Sequence, residues 1–411
     1  MPPRPDQPPS LDVAIVMFDF GPTGVVRNAL RIAGAAARAG LSVELWVVQD
    51  KGSLRRDLPD GVPVHAFGPT LGTNYSRGDR RRAGRSTVPA LAALIAARRP
   101  RVLLSAGNHF HTPAANAARA AGVPVRLLLR ISTGLPRPDR TFNPYRWLRY
   151  HYKRRKAERR HEDAARLIAV SQEIARELKR STDVSPEQLV VIPNGIDRER
   201  IEASAREPFD HRWFEPGSPP VILGVGRIDK YKNFELLIAA FAELRKTRAV
   251  RLMILGEERS AWRHRLEALA ERLGIAADLR FEGFQPNPHP YFRRAAAYVC
   301  CSRYEGMSNA MLEAMANGCP VVATRSATGA AELLDEGRLG PLAETGTAPL
   351  ARAIAERLDQ PRQSAELMAQ AARYDLSATI DAYVRLLAEE AGRTPAPRAG
   401  TAPRRTKALA A

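Results

Sequence analysis

Residues 300–324 read CCSRYEGMSNAMLEAMANGCPVVAT, and the order of residue types in this stretch decides the fold. An apolar run ends at Cys300, and a short loop then carries Glu305 and Gly306. Ser308 suits the N-cap of a helix whose buried stripe is Leu312, Met315 and Ala316 and which Gly318 closes. Val321–Ala323 then starts a second apolar strand. Strand, helix, strand with short connections is a βαβ unit, and its strands pair in parallel.

The same alternation runs outward in both directions. On the C-terminal side of residue 220, strands are expected at Val221–Val225, Leu252–Leu255, Leu279–Glu282, Ala297–Cys300 and Val321–Ala323, with helices at Phe234–Arg245, Ala261–Leu273 and Asn309–Ala316. Before it, Leu11–Phe18, Ser42–Val48, Val102–Ser105, Val125–Leu129, Leu167–Val170 and Leu189–Ile192 read as strands, and Val25–Ala39 as a helix capped by Gly40. The class is α/β, with two parallel sheets. Residues 207–220 hold Pro208, Pro216, Gly217, Pro219 and Pro220, which break every period and predict a linker. The expected organisation is a disordered 1–10, an N-terminal domain over 11–206, the linker over 207–220, a C-terminal domain over 221–377, a last helix over 378–390 and a disordered tail over 391–411. Ligands of such sheets bind at the carboxyl ends of the strands, so a cleft between the two domains is the expected site.

Composition excludes other classes. The chain has 411 residues with 45% apolar residues, an ordinary globular fraction that rules out a fibrous or disordered protein. No apolar run approaches the ~18 residues that a membrane span needs. The opening MPPRPDQPPS has prolines where a signal peptide needs a continuous apolar run, so a cytoplasmic location is expected. Cys300, Cys301 and Cys319 form no CxxC pair and predict buried, reduced thiols without a structural zinc. The net charge is +19, and residues 51–180, with 28 basic and 9 acidic residues, account for all of it. A basic zone so confined predicts an anionic partner: a membrane surface, a phosphorylated substrate or nucleic acid.

Two constellations could do chemistry. At the start of the helix 309–316, the free amides and positive dipole end around Gly306, Met307, Ser308 and Asn309 suit a diphosphate, while Glu305 and Glu313 could accept hydrogen bonds from sugar hydroxyls. Two surface glutamates would have the same spacing. In GVGRIDKYKNFELLI, residues 224–238, Gly226 ends a strand and Arg227 and Lys232 sit across the following turn. An arginine fork and a lysine point charge there could neutralise the charge of a departing nucleotide, although a solvated basic turn containing Lys230 would read the same way. In the first half, Gly21 and Gly24 in FDFGPTGVVRNAL would let a phosphate or acceptor approach a strand-helix turn, a use glycine shares with purely steric ones. His109 and His111, just past Val102–Ser105, are candidates to meet a sugar in the cleft.

The two constellations, their order, and the LMILGEE and LRFEGF between them resemble the retaining nucleotide-sugar glycosyltransferases of the family often called group 1 or family 4, which have the two-domain GT-B fold. The resemblance implies that Glu305 contacts donor-sugar hydroxyls, that Glu313 contacts the ribose, and that Arg227 and Lys232 hold the donor phosphates. The family's Pro-Asn-Gly-x-Asp turn is matched by Pro193, Asn194, Gly195, Ile196 and Asp197. Glu305, Arg227, Lys232 and His109 are then the catalytic candidates, with Gly226 and residues 306–309 lining the donor. Many members also have a histidine after the next strand, where this chain has LLLRIST with Arg130, Ser132 and Thr133. The implied reaction is a front-face transfer without a divalent metal or other cofactor, in which the departing diphosphate oxygen helps deprotonate the acceptor. The implied partners are a nucleoside-diphosphate sugar and a glycan or lipid-linked acceptor of the cell envelope. The segment 146–167, with Trp147, Leu148 and Tyr152 beside a run of cations, suits an anionic membrane surface. A nucleotide-sugar epimerase of the same fold would need an acid/base pair at the sugar ring. A nucleic-acid-binding protein could use the basic zone, but no helix-turn-helix, zinc or RNP signature accompanies it, so no nucleic acid is expected.

Overall fold

The computed structural model describes residues 11–72, 77–134, 144–257 and 260–394. Thirteen strands form among them: β1 Val13–Met17, β2 Val43–Val47, β3 Val64–Ala66, β4 Val102–Ser105, β5 Arg126–Ile131, β6 Arg166–Ala169, β7 Leu189–Val191, β8 Val221–Val225, β9 Arg251–Leu255, β10 Leu279–Gly283, β11 Ala297–Cys300, β12 Val321–Thr324 and β13 Leu342–Ala343. They make a seven-stranded sheet of order β3-β2-β1-β4-β5-β6-β7 and a six-stranded sheet of order β10-β9-β8-β11-β12-β13. In the first, β1 pairs in parallel with β2 and β4, with Val13 opposite both Val43 and Val102. In the second, β8 pairs in parallel with β9 and β11.

Central strands buried on both faces have no polar side to alternate with, which is why β1 (VAIVM) and β2 (VELWV) read almost as continuous apolar runs. The expected strands all form, some shifted by a residue or two. β3 and β13 were not expected, and with three and two residues they are too short to carry a period. The helix Phe234–Arg245 has the expected bounds, and Leu237, Ile238 and Phe241 bury it against the second sheet. The three cysteines are buried and free.

The two sheets change over between β7 and β8, across residues 207–220, whereas the compact units divide inside β5. One takes the chain up to Leu128 and again from Ile380, and the other is Leu129–Thr379. The expected linker is itself packed. Trp213 is buried, His211 Nε2 lies 3.1 Å from Glu282, and Phe209 meets Tyr291 edge-on at 4.7 Å. Aromatic residues among the prolines anchor this stretch to the second sheet, so a broken period does not mean a loose chain. The last helix is Leu376–Glu390, two residues longer at its start than expected. Of the segment expected to be a disordered tail, residues 391–394 are described, and Arg393 Nε bonds Asp12 at 2.9 Å. Residues 1–10 and 395–411 lie outside the described residues.

In the first unit, β1 leads into the helix Gly24–Arg38, whose N-cap Thr23 accepts the Val26 amide. Buried Asp12 at the amino end of β1 takes the Ser42 amide and Arg393. In the second unit, β6 leads into the helix Gln172–Ser181, capped by Ser171.

Candidate active site

The site is built on the second unit from two loops at carboxyl ends of neighbouring strands. After β8 the chain turns through Gly226, at φ 143°, where a Cβ would lie 2.6 Å from Lys232 Cε. Only a residue without a side chain lets the lysine stem cross there. Gly256, at the end of β9, makes the next close approach: a Cβ would lie 1.9 Å from the Gly226 carbonyl oxygen. Asp229 is buried and accepts the Tyr231 and Lys232 amides at 2.8 and 3.3 Å, an Asx-type turn that fixes where Lys232 leaves the backbone. Asn233, left-handed at φ 58°, then starts the helix Phe234–Arg245.

After β11 the second loop runs alongside this turn. The Arg303 amide donates to the Tyr231 carbonyl at 2.8 Å, and the Cys301 thiol donates to the Lys232 carbonyl at 3.3 Å. The two loops thus bring together side chains 73 positions apart. Lys232 Nζ donates to both oxygens of Glu305, at 2.8 and 2.9 Å, and Ser302 Oγ donates to Oε2 at 2.6 Å. Burial works to raise the Glu305 pKa, but the Lys232 charge, its hydrogen bond and the Ser302 and Ser308 hydroxyls hold it below the ordinary carboxylate range. Burial works to lower the Lys232 pKa, and the Glu305 charge outweighs it and leaves it raised. Both groups are therefore charged at neutral pH.

Arg227 reaches out of the same turn, 41% exposed and 3.4 Å from Asp229. It is close enough to Lys232 for their charges to repel. Ser308 caps the helix Asn309–Ala316 by accepting the Met311 amide at 3.3 Å. Asn309, Ala310 and Glu313 form its partly exposed face, opposite the buried Met311, Leu312 and Met315. The Asn309 Oδ1 is buried without a hydrogen-bond partner among the described residues, an acceptor that a ligand hydroxyl would suit. The arrangement offers a guanidinium, an ammonium, a helix N-terminus and an ionised carboxylate on one rim, a set able to bind a phosphorylated polyol.

Two families match the chain in succession: Glycosyltransferase Family 4 over residues 22–200 and Glycosyl transferases group 1 over residues 205–375. This chain belongs to the group 1 glycosyltransferases. Its fold is GT-B. Among solved structures, the Anabaena Alr3699/HepE complex with UDP and glucose matches at TM-score 0.69 and 19% identity, over 92% of this chain and 99% of that one. WaaG, a glycosyltransferase involved in lipopolysaccharide biosynthesis, matches at TM-score 0.67 and 17% identity, over 91% and 99%. By sequence, a Campylobacter jejuni N-acetylgalactosamine-N,N'-diacetylbacillosaminyl-diphospho-undecaprenol 4-alpha-N-acetylgalactosaminyltransferase is 34% identical over 41% of this chain and 43% of its own length. The Rhizobium meliloti lipopolysaccharide core biosynthesis glycosyltransferase LpsE is 31% identical over 49% and 58%. The chain thus spans about half the length of the curated relatives it matches.

In this glycosyltransferase, Glu305, Lys232, Arg227, Gly226 and residues 306–309 share one site, with Glu313 one turn further along the helix; the Gly306 amide, expected to be free for a diphosphate, is taken by the Ser132 carbonyl at 3.2 Å. Ser302 and Asp229 are part of it and were not singled out from sequence. Asp229 could have been, since an aspartate two residues before a lysine-bearing turn suits an Asx turn, whereas nothing local marks Ser302. The first unit brings two corrections. His111 does not face a cleft: it is fully buried, with Nδ1 2.8 Å from Ser105 Oγ. The Gly21 amide is taken by Asp19 Oδ1 at 3.1 Å, and so is not free for a phosphate, while Gly24 is the first residue of its helix. The glycine that the loop requires is Gly52, at φ 131°, where a Cβ would lie 2.3 Å from the Phe20 carbonyl. His109 is exposed, edge-on to Phe18 at 6.3 Å.

Proposed function

We propose that the chain is a retaining glycosyltransferase that moves a sugar from a nucleoside-diphosphate sugar to a glycan or lipid-linked acceptor in cell-envelope polysaccharide or glycolipid synthesis. The observation that carries this reading is the Lys232–Glu305 pair beside Arg227 and the capped helix at Ser308. Arg227 and the helix amides take the diphosphate, Lys232 shares its charge between Glu305 and the developing phosphate, and Glu305 accepts from the sugar hydroxyls. Two cations and a helix dipole then do the work that a divalent ion does elsewhere. The departing diphosphate oxygen takes the acceptor proton on the same face of the sugar, so the anomeric configuration is kept. The names of the Campylobacter and Rhizobium relatives favour an envelope acceptor. Melting curves with UDP-, GDP- and ADP-sugars identify the donor, because a bound donor stabilises by mass action. Transfer from that donor with retained anomeric configuration by NMR, undiminished by a chelator, is the expected result. Free sugar alone, or inverted product, refutes the reading.

The enzyme of this proposal works against an anionic membrane. On the helix Pro144–Glu162, Tyr145, Leu148 and Tyr152 are 72%, 64% and 68% exposed. Their spacing continues into exposed Arg155 and Arg159, an apolar stripe followed by cations. Each engaged cation adds about 1 kcal/mol at a headgroup layer and less at high salt. Salt-sensitive co-sedimentation with anionic but not neutral vesicles is expected, and Tyr152→Ser with Leu148→Ser reduces it. Equal partitioning onto both vesicle types refutes this contact.

A further inference from the structure

The loop that carries Glu305 is held from two sides. On the side of its own sheet, the Gly329 amide donates to the Glu305 carbonyl at 3.3 Å, and Lys232 holds the carboxylate. On the other side, residues that follow β5 and β7 reach the next two positions of the loop. The Gly306 amide donates to the Ser132 carbonyl at 3.2 Å, and Asn194 Nδ2 donates to the Met307 carbonyl at 3.2 Å. Asn194 Oδ1 in turn accepts from Arg130 at 2.6 Å.

Each group in this chain has one possible role. Guanidinium can only donate and a peptide carbonyl can only accept, so the Asn194 amide is fixed in one orientation and both of its ends are used. Arg130 and Asn194 are both buried, where such bonds are strongest and where breaking one strands its partners. The contact is also sterically close, because a Cβ on Gly306 would lie 2.5 Å from the Ser132 carbonyl oxygen. The Asn194 turn is itself anchored behind. The Ile196 amide donates to the Tyr374 carbonyl at 2.9 Å, a Cβ on Gly195 would lie 2.6 Å from Leu376 Cα, and Asp197 caps the helix Arg198–Ala205. The Pro-Asn-Gly-x-Asp sequence thus divides its work: asparagine reaches forward to the loop, glycine admits the last helix behind, and aspartate starts the next one.

We infer that Arg130 and Asn194 form a buried brace that positions the Glu305 loop. Asn194 is a positioning residue: it acts through Met307 and Gly306 on the carboxylate one residue away. Strands of the first sheet thereby set the carboxylate that the second sheet carries. The consequence for turnover rests on the function proposed above. The consequence for the loop does not.

The conservative test is Asn194→Asp, which keeps the size and still accepts from Arg130 but faces the Met307 carbonyl with an oxygen. Gly306→Ala tests the same contact from the loop side, by forcing it away from Ser132. Hydrogen exchange in the full chain, free of ligand, is read on peptides covering residues 303–309. Exchange there is expected to quicken tenfold or more in both variants, while β11 and the rest of the helix Asn309–Ala316 stay within twofold. With a donor that supports transfer, kcat of the Asn194→Asp variant falls 10- to 100-fold, and its Kd for the matching nucleoside diphosphate changes less than threefold, because the diphosphate is held at Arg227 and the helix start. Unchanged exchange at 303–309 overturns the brace whatever the activity. A parallel loss of nucleoside diphosphate affinity, melting temperature and kcat also overturns it, since that is the mark of a purely structural residue. If the wild type transfers no sugar, the proposed function fails and the exchange result still decides the brace.

Discussion

Glu305 is a carboxylate kept ionised by its neighbours, and the residue-scale predictions concern those neighbours. Glu305→Gln removes the charge that compensates a half-buried lysine and the acceptor expected at the sugar. Turnover should fall tenfold or more, accompanied by a lower melting temperature, because a cation left in a dry site is costly. Ser302→Ala removes one hydroxyl donor to the same carboxylate and leaves the ion pair. The bond it deletes is charge-assisted, worth about 2 kcal/mol. A fall in kcat of roughly tenfold, smaller than for Glu305→Gln, is expected in steady-state kinetics at saturating donor. Arg227 is the more exposed cation, so Arg227→Ala should spare the fold and weaken nucleoside diphosphate binding by on the order of 2 to 4 kcal/mol in calorimetry. Binding indifferent to that change would remove Arg227 from the phosphate site.

At the scale of elements, the site depends on turns more than on the strands that carry them. The strands were legible because each is a run of apolar residues ended by glycine or a polar residue, as in GVGRID after β8. The helix 309–316 was legible through Ser308, whose hydroxyl caps it as the residue type implies. What the turns demand sterically was legible only in part. Gly226 was singled out, but Gly256 was not, and it faces the Gly226 carbonyl more closely than any other glycine meets a neighbour. Gly256→Ala, at φ 155°, has to move one loop against the other. A loss of about 2 to 4 kcal/mol in urea unfolding is expected, with activity reduced in the fraction that folds. The helix 144–162 was legible as a cationic, aromatic segment, and its exposed stripe at Tyr145, Leu148 and Tyr152 keeps the spacing of one helix face.

Across the whole molecule, buried histidines set the response to acid. Burial and the neighbouring Arg160 push the His161 pKa down from 6.5 to about 3. Burial, then Arg200, lower His289 to about 4, where Nδ1 lies 3.1 Å from Asn317 Nδ2. In the unfolded chain both rings take up protons below about pH 6.5, and in the folded chain they stay neutral to far lower pH. The unfolded state therefore binds more protons across this window, and stability falls as pH is lowered from about 6.5 to about 4. His161 alone contributes on the order of 3 kcal/mol over that range. The depressed Glu305 acts in the same direction at the acid end, since its stabilisation is present above the ordinary carboxylate pKa and lost as pH falls through its lowered value. Urea midpoints at pH 7, 5.5 and 4.5 should decrease in that order, and a midpoint independent of pH would contradict the buried neutral rings.

By itself the sequence determined what acts over a few residues: the alternation of strands and helices, the cap at Ser308, and the parallel α/β class that short βαβ connections force. It also held the charged residues of the two loops, because each loop carries its own charged groups in a short stretch. Only the tertiary structure decided what joins distant stretches. Lys232 meets Glu305 across 73 positions and Asn194 meets Met307 across 113, with no local pattern to announce either. The division of the compact units inside β5 and the burial of His111 were decided in the same way. The physical reason is range: caps, turns and periodicity act between neighbours along the chain, whereas hydrogen bonds and ion pairs between loops exist only once packing has brought their strands side by side.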